Sequence, residues 1–319
     1  MKLKSLALAA TLLAAFAAPA LAQIKERTIK IGTGITEDHP QALALKHFAE
    51  VVAAKSGGKI HAKVFANGTL EMTIPDSSTL VSIVKDFGVL NLPMIFANEQ
   101  EADAVLDSAF GQKLLDKLPE KGLIGLGYFE NGFRNVTNSR RPINKAEDLA
   151  GLKLRVIQNP LFVDTFAALG ANATPLPFTE LYSAMEQKAV DGQENPTVTV
   201  LTSKFYEVQK HMVQSRHIYS AWVLLLSKKT WDTLSPEEQK IMKEAAIEAT
   251  AFERKSIRAL NNKALDELKK LGLQVTDLPP AEMAKLRDKL QPVITKFSKE
   301  FGEQTTRELM AELDKARKK

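Results

Sequence analysis

Two arginines in this chain stand where a planar guanidinium can meet an anion. Arg155 lies inside the apolar run Leu152-Lys-Leu-Arg-Val-Ile157, which reads as a strand. Arg134 closes the stretch Asn131-Gly-Phe-Arg134, just after a strand that ends near Phe129. A guanidinium gives a carboxylate two parallel, charge-assisted hydrogen bonds in one plane, a geometry that an ammonium lacks. With period 2, Arg155 shares a face with Lys153 and Ile157, while Leu152, Leu154 and Val156 take the other. Taken alone, that is a half-buried strand with a solvated charged face. Position favours a ligand: crevices in open α/β sheets form outside the carboxyl ends of strands, and Arg155 lies towards that end. A further polar stretch, Ala189-Val-Asp-Gly-Gln-Glu-Asn-Pro196, reads as a turn after a helix and carries Asn195.

Catalytic chemistry has little to work with. His39, His47, His61, His211 and His217 form neither an HExxH motif nor a pair four apart, so no metal site is expected. The chain has no cysteine. No nucleophile elbow or phosphate-binding loop follows a strand, and Gly125-Leu-Gly127 lacks the third glycine of a dinucleotide fingerprint. The expectation is a binding protein, not an enzyme, without cofactor. A formal net charge of +5 favours anions weakly. With no Lys/Arg block interleaved with aromatics, nucleic acid is not an expected partner.

The elements that must position these groups alternate. Thr28 to Thr33 and Ile60 to Ala66 read as strands around a helix from about Pro40 to Lys55, closed by Gly57-Gly58. Leu123 to Phe129, Leu152 to Ile157 and Leu273 to Thr276 are further strands. The pattern predicts an α/β chain with largely parallel sheets. Its 319 residues suggest two domains. Ser235-Pro-Glu-Glu238 is a capping box with proline at the first helical position. Neither Gly nor Pro follows until Gly272, which allows a helix of about 36 residues, or two helices broken near Asn261-Asn262. A charged helical region runs from about Pro280 to Lys318. At the start, Lys2 and Lys4, the uncharged run Leu6 to Pro19 and Ala20-Leu-Ala22 read as a signal peptide (residues 1–22) cleaved after Ala22. One place is anomalous. Asn67-Gly68 between β-favouring residues signals a hairpin, where parallel units need a crossover of about a dozen residues.

Taken in order, several stretches resemble the solute receptors of tripartite ATP-independent periplasmic (TRAP) transporters, in their dicarboxylate-receptor branch. They are Asn131-Gly-Phe-Arg134, Asn138-Ser-Arg-Arg-Pro-Ile143, Asp148-Leu-Ala-Gly-Leu-Lys-Leu-Arg-Val156, Pro177-Phe-Thr-Glu-Leu-Tyr182, Val190-Asp-Gly-Gln-Glu-Asn-Pro196 and Phe205-Tyr-Glu-Val-Gln-Lys210. The resemblance implies a two-lobed α/β binding-protein fold with hinge strands and a long lobe-spanning helix. It implies lobe I from 23–129 plus about 217–258, and lobe II from 130–216 plus about 259–319. Arg155 would make the paired carboxylate contact, Arg134 and Asn195 further polar contacts, and Phe178 would pack under the ligand. His39, Asp76 and Ser77, with Tyr219 and Trp222, would face the cleft from the other wall. The implied protein is periplasmic, a monomer or weak dimer. It takes a small carboxylate, a C4-dicarboxylate or related acid, and hands it to TRAP membrane subunits. The alternatives are a receptor for a 2-oxo, aromatic or sugar acid, or an exported sensory receptor.

The chain departs from this pattern after Leu70, where about fifteen residues of crossover helix are missing. The loss is expected to expose apolar sheet surface in lobe I and to impair closure over a ligand.

Overall fold

A computed structural model describes residues 24–65 and 70–318. The expected signal peptide and its cleavage after Ala22 lie outside the described residues, as does the Asn67-Gly68 turn.

The chain runs β1 (Arg27–Gly32), α1 (Pro40–Lys55), β2 (Ile60–Phe65), β3 (Met72–Thr73), α2 (Glu99–Leu106), α3 (Ala109–Leu115) and β4 (Leu123–Asn138). It continues through β5 (Lys153–Val156), α4 (Pro160–Ala168), β6 (Asn172–Pro175), α5 (Leu181–Glu186), β7 (Gly192–Pro196), α6 (Thr197–Thr202) and β8 (His211–Ser227). It closes with α7 (Lys228–Trp231), α8 (Pro236–Lys270), β9 (Gln274–Asp277), α9 (Pro280–Phe301) and α10 (Glu303–Arg317). The strands follow the order β2-β1-β3-β8-β4-β7-β5-β6, with β9 beside β8. The α/β reading holds.

Two long antiparallel strands join the halves. β4 and β8 pair from Leu123↔Ser227 to Asn138↔His211, with irregularities near Gly125, Glu130 and Arg134 that bend the ladder. Asn131-Gly-Phe-Arg134 therefore lies within β4, not after a strand ending at Phe129. In lobe I, β1, β3, α1 and the first half of α8 bury one core through Ile29, Ile31, Phe48, Met242 and Ala245. A second core on the opposite face holds Phe87, Phe110, Tyr128 and Val223. In lobe II, Leu154, Val156, Phe162 and Phe166 form one core, and Leu181, Phe205, Met212 and Leu268 another.

α8 is one uninterrupted helix of 35 residues, so the break near Asn261-Asn262 does not occur. Its capping box is formed on both sides by Ser235 and Glu238. Leu268, near its end, belongs to a lobe II core, so the helix spans both lobes. At mid-length it grips β4. Glu253 accepts the Glu130 N–H at 2.8 Å, and Arg258 pairs with Glu130 and Asp103. The other Glu253 oxygen has no partner. Burial pushes the Glu253 carboxyl well above the usual carboxylate range. A raised folded pKa means that the native state keeps a proton the unfolded chain has released. Stability from this group therefore falls as pH rises above the unfolded value of about 4.3. Glu253→Gln should raise the melting temperature relative to wild type more at pH 8 than at pH 5. Parallel pH–stability curves for the two proteins would refute this.

The C-terminal region departs from the expected division. Leu286 and Leu290 pack in lobe II, but Val293, Phe297, Phe301, Leu309 and Leu313 belong to a lobe I core. The stripe 286-290-293-297-301 carries α9 from one lobe to the other. Gly302, at φ 123°, then permits the turn into α10. Assigning all of 259–319 to lobe II is thus corrected beyond about Leu290.

The anomalous stretch after β2 is not a hairpin between β2 and β3. Both strands pair parallel with β1, one on each side. The predicted loss of a crossover helix leaves one face of β1 and β2 open, but Thr28, Lys30, His61 and Lys63 make that face polar. Phe65 projects there at 39 % exposure. Leu70 lies directly on Gly32, where a Cβ would meet its Cδ1 at 1.9 Å. The expected large exposure of apolar surface is therefore not found.

Candidate ligand-binding site

A cavity of about 240 Å³ lies between the lobes. At about 30 Å³ per liquid water it holds well more than a carboxylate group. Thr33, Gln41, Asp76 and Thr79 line it from lobe I, and Arg155, Gln158, Phe178 and Asn195 from lobe II. Asn131, Arg134 and Trp222 come from the two long strands.

Arg155 is held by β5, which pairs parallel with β6 and β7. It is 3 % exposed, which rules out a solvated charged face. Its Nε donates to the Leu176 carbonyl at 2.8 Å, which fixes the plane of the guanidinium. The two terminal nitrogens make no hydrogen bond or ion pair to the described residues. Burial lowers the Arg155 pKa to about 10, with Glu194 opposing the shift, so the group stays charged at neutral pH. A buried, oriented, charged fork without a carboxylate is costly unless a ligand supplies one.

Arg134 is placed differently from expectation. It lines the cavity, but its fork is already filled. Nε and Nη2 clasp the Glu194 carboxylate, Nη2 to Oε1 at 2.8 Å, and Nη2 also reaches the Glu194 carbonyl at 2.7 Å and Asn195 Oδ1 at 3.1 Å. Asp76 Oδ2 stands 3.8 Å from Nη1. Burial alone would raise the Glu194 pKa; Arg134 and His217 beside it hold it below the usual range. Burial keeps the His217 imidazole neutral, with Nε2 3.2 Å from Glu194.

Glu194 and Asn195 sit on β7, which pairs with β4 on one side and β5 on the other. Of the polar run read as a turn, residues 189–191 do turn after α5, but Gly192–Pro196 is a fully buried central strand. Gly192 makes this possible, because a Cβ there would meet the Thr137 carbonyl oxygen at 2.0 Å. Asn195 Nδ2 donates to Gln193 Oε1 at 2.5 Å, which leaves its second N–H for the cavity. Phe178 is half-buried on the cavity wall, its ring 6.0 Å from that of Phe205.

On the opposite wall Asp76 caps the 3-10 turn Ser77–Ser82, accepting from the Ser78 N–H at 2.9 Å and its hydroxyl at 2.6 Å. Its second oxygen accepts from Asn131 and Ser220. Trp222 lines the cavity. Three expected residues do not. His39 is fully buried as the N-cap of α1, its Nδ1 accepting from Gln41, and burial lowers its pKa to about 3. Ser77 is buried and donates to Asn91. Tyr219 packs between Phe96 and Phe133, at 5.5 and 5.3 Å. Side chains alternate along β8, so Trp222 and Tyr219, three apart, point to opposite faces. Gln41 and Thr199 in the first turns of α1 and α6, Gln158 in a loop and Glu194 in β7 were missed, since a single polar residue carries no periodic signal of what it faces.

The bacterial extracellular solute-binding protein family 7 (DctP) matches residues 31–300. The chain belongs to that family. This family 7 solute-binding protein is 45 % identical, with a TM-score of 0.90, to the sugar acid binding protein of Advenella mimigardefordensis solved with galactonate, over 92 % of this chain and 99 % of that one. It is 33 % identical to the 2,3-diketo-L-gulonate-binding periplasmic protein of Escherichia coli, covering 87 % of this chain and 89 % of the relative. It is 31 % identical to the C4-dicarboxylate-binding protein DctB of Bacillus subtilis, over 86 % and 83 %. Family 7 proteins are binding proteins that work with TRAP membrane components, and the two-lobed fold is theirs. No described helix is long and apolar enough to cross a membrane.

Proposed function

We propose that this chain is a periplasmic TRAP receptor, freed of residues 1–22, in which Arg155 clamps the carboxylate of a small organic acid as the lobes close. The observation that carries this is the Arg155 guanidinium: buried, fixed by Leu176, and free at both terminal nitrogens beside an interlobe cavity. Asn195 supplies a second donor, and Phe178 and Trp222 supply apolar walls. Arg134 acts behind the site by orienting Asn195. The relatives support a carboxylate, since galactonate, 2,3-diketo-L-gulonate and C4-dicarboxylates share that group. Closure is supported by contacts across the cleft, such as Asn159 Nδ2 donating to the Ser78 carbonyl at 2.8 Å. A ligand touching both lobes stabilises the closed state in proportion to its differential contacts.

Small-angle scattering tests closure. A bound acid should lower the radius of gyration and raise the melting temperature of wild type, and do neither in Arg155→Met. Calorimetric binding without any change in dimensions would reject closure. It would also revive the expectation that the missing crossover helix impairs lobe I.

A further inference from the structure

The cavity is asymmetric in charge. Among the described residues that line it, the cations are Arg134 and Arg155 and the carboxylate is Asp76, with Glu194 directly behind Arg134. Arg134 already faces two carboxylates, Glu194 in its fork and Asp76 at 3.8 Å. Among the described residues that line the cavity, Arg155 is therefore the one cation left for a ligand. His39, the other candidate for a second donor, is a helix cap behind Trp222, with its ring 5.2 Å from that of Trp222, and does not line the cavity. Asp76 belongs to lobe I, across the cleft from Arg155, and its field reaches that guanidinium.

We infer that Asp76 makes this a receptor for singly charged hydroxy acids and bars dicarboxylates. The inference rests on the Arg155 reading above and narrows it. A ligand carboxylate on Arg155 uses the free positive charge. A second carboxylate at the far end would only accept hydrogen bonds, would find no free cation, and would approach Asp76. A hydroxyl both donates and accepts. Both Asp76 oxygens already accept two hydrogen bonds each, so Asp76 acts through its charge, and a polyol tail exchanges hydrogen bonds instead with Gln41, Asn131, Gln158 and Thr199, which supply amides and a hydroxyl around the same space. Unlike charges at a binding surface raise affinity modestly, whereas like charges brought together exclude a partner strongly, so one carboxylate on the wall is enough to choose.

Titration calorimetry on the purified protein tests this with gluconate, galactonate and erythronate against succinate and monomethyl succinate. Wild type should bind the best hydroxy acid on the order of 100-fold more tightly than succinate, since a like-charge contact costs several kcal/mol and each tenfold is about 1.4. Monomethyl succinate, with its far charge removed, should bind more tightly than succinate. Asp76→Asn should reduce the preference by about tenfold or more. The methyl ester keeps the inference testable should that variant fold poorly. Succinate binding as tightly as the hydroxy acids, or no more weakly than its monomethyl ester, overturns the inference. Arg155→Lys is the control. If it loses affinity for every acid in that case, the clamp stands and only the role of Asp76 falls. If it binds as wild type does, the clamp falls too.

Discussion

Arg155→Met should abolish measurable carboxylate binding while leaving the ligand-free protein as stable as wild type or more so. Two charge-assisted hydrogen bonds at roughly 1.5–3 kcal/mol each correspond to a loss of about 10²–10⁴ in affinity. Arg155→Lys keeps a charge but loses the planar fork, and should fall between. The stability half of the expectation comes from the same geometry. The guanidinium is buried, its pKa is lowered to about 10 by that burial, and none of the described residues offers it a carboxylate in contact. Removing it ends a desolvation cost, and Met fills the space of the alkyl stem. Isothermal titration and thermal melting on one sample separate the two halves. A large fall in melting temperature without ligand would show Arg155 to be a structural residue and remove the case for a clamp.

Glu194→Gln should be the more damaging change to the fold. It leaves the fully buried Arg134 guanidinium without its carboxylate, and breaking a buried pair on one side typically costs about 3–5 kcal/mol. Against a total of about 5–15 kcal/mol, that is a large fraction. The damage should reach the ligand site, because Arg134 also holds Asn195 Oδ1. Adding Arg134→Met to the Glu194→Gln background should recover much of the lost stability, since methionine in place of the guanidinium removes the stranded charge. Urea unfolding of the single and double variants measures this. Equal stability of Glu194→Gln and wild type would mean that Arg134 finds another counter-charge, with Asp76 at 3.8 Å the nearest candidate.

These two arginines show how far the chain could be read before its fold. Both stood out as candidate anion-binding residues, although Arg155 read alone was a solvated charge on a strand, and its position and the family resemblance were what marked it for a ligand. Which of them is free was not legible. That depends on Glu194, on the adjacent strand, and an apolar–polar pattern carries no record of which polar group lies opposite. The same gap hid β7. Gly-Gln-Glu-Asn-Pro has turn residues and no β-branched ones, and it becomes a strand because β4 and β5 offer backbone partners on both sides.

What the amino-acid order determined by itself is local. The capping box at Ser235 and the absence of Gly or Pro specify a helix start and an uninterrupted span, and α8 follows both. Alternating strand and helix signals specify an α/β chain, since each period of hydrophobicity is set within a few residues. Tertiary structure decided everything that rests on non-local pairing. It set β2 and β3 on opposite sides of β1, sent α9 from one lobe to the other, and turned Tyr219 away while Trp222 stayed in the cleft. It also filled one guanidinium and left the other open. Charge compensation is a property of neighbours in space, so only the fold could show that Arg134 is filled and Arg155 is not.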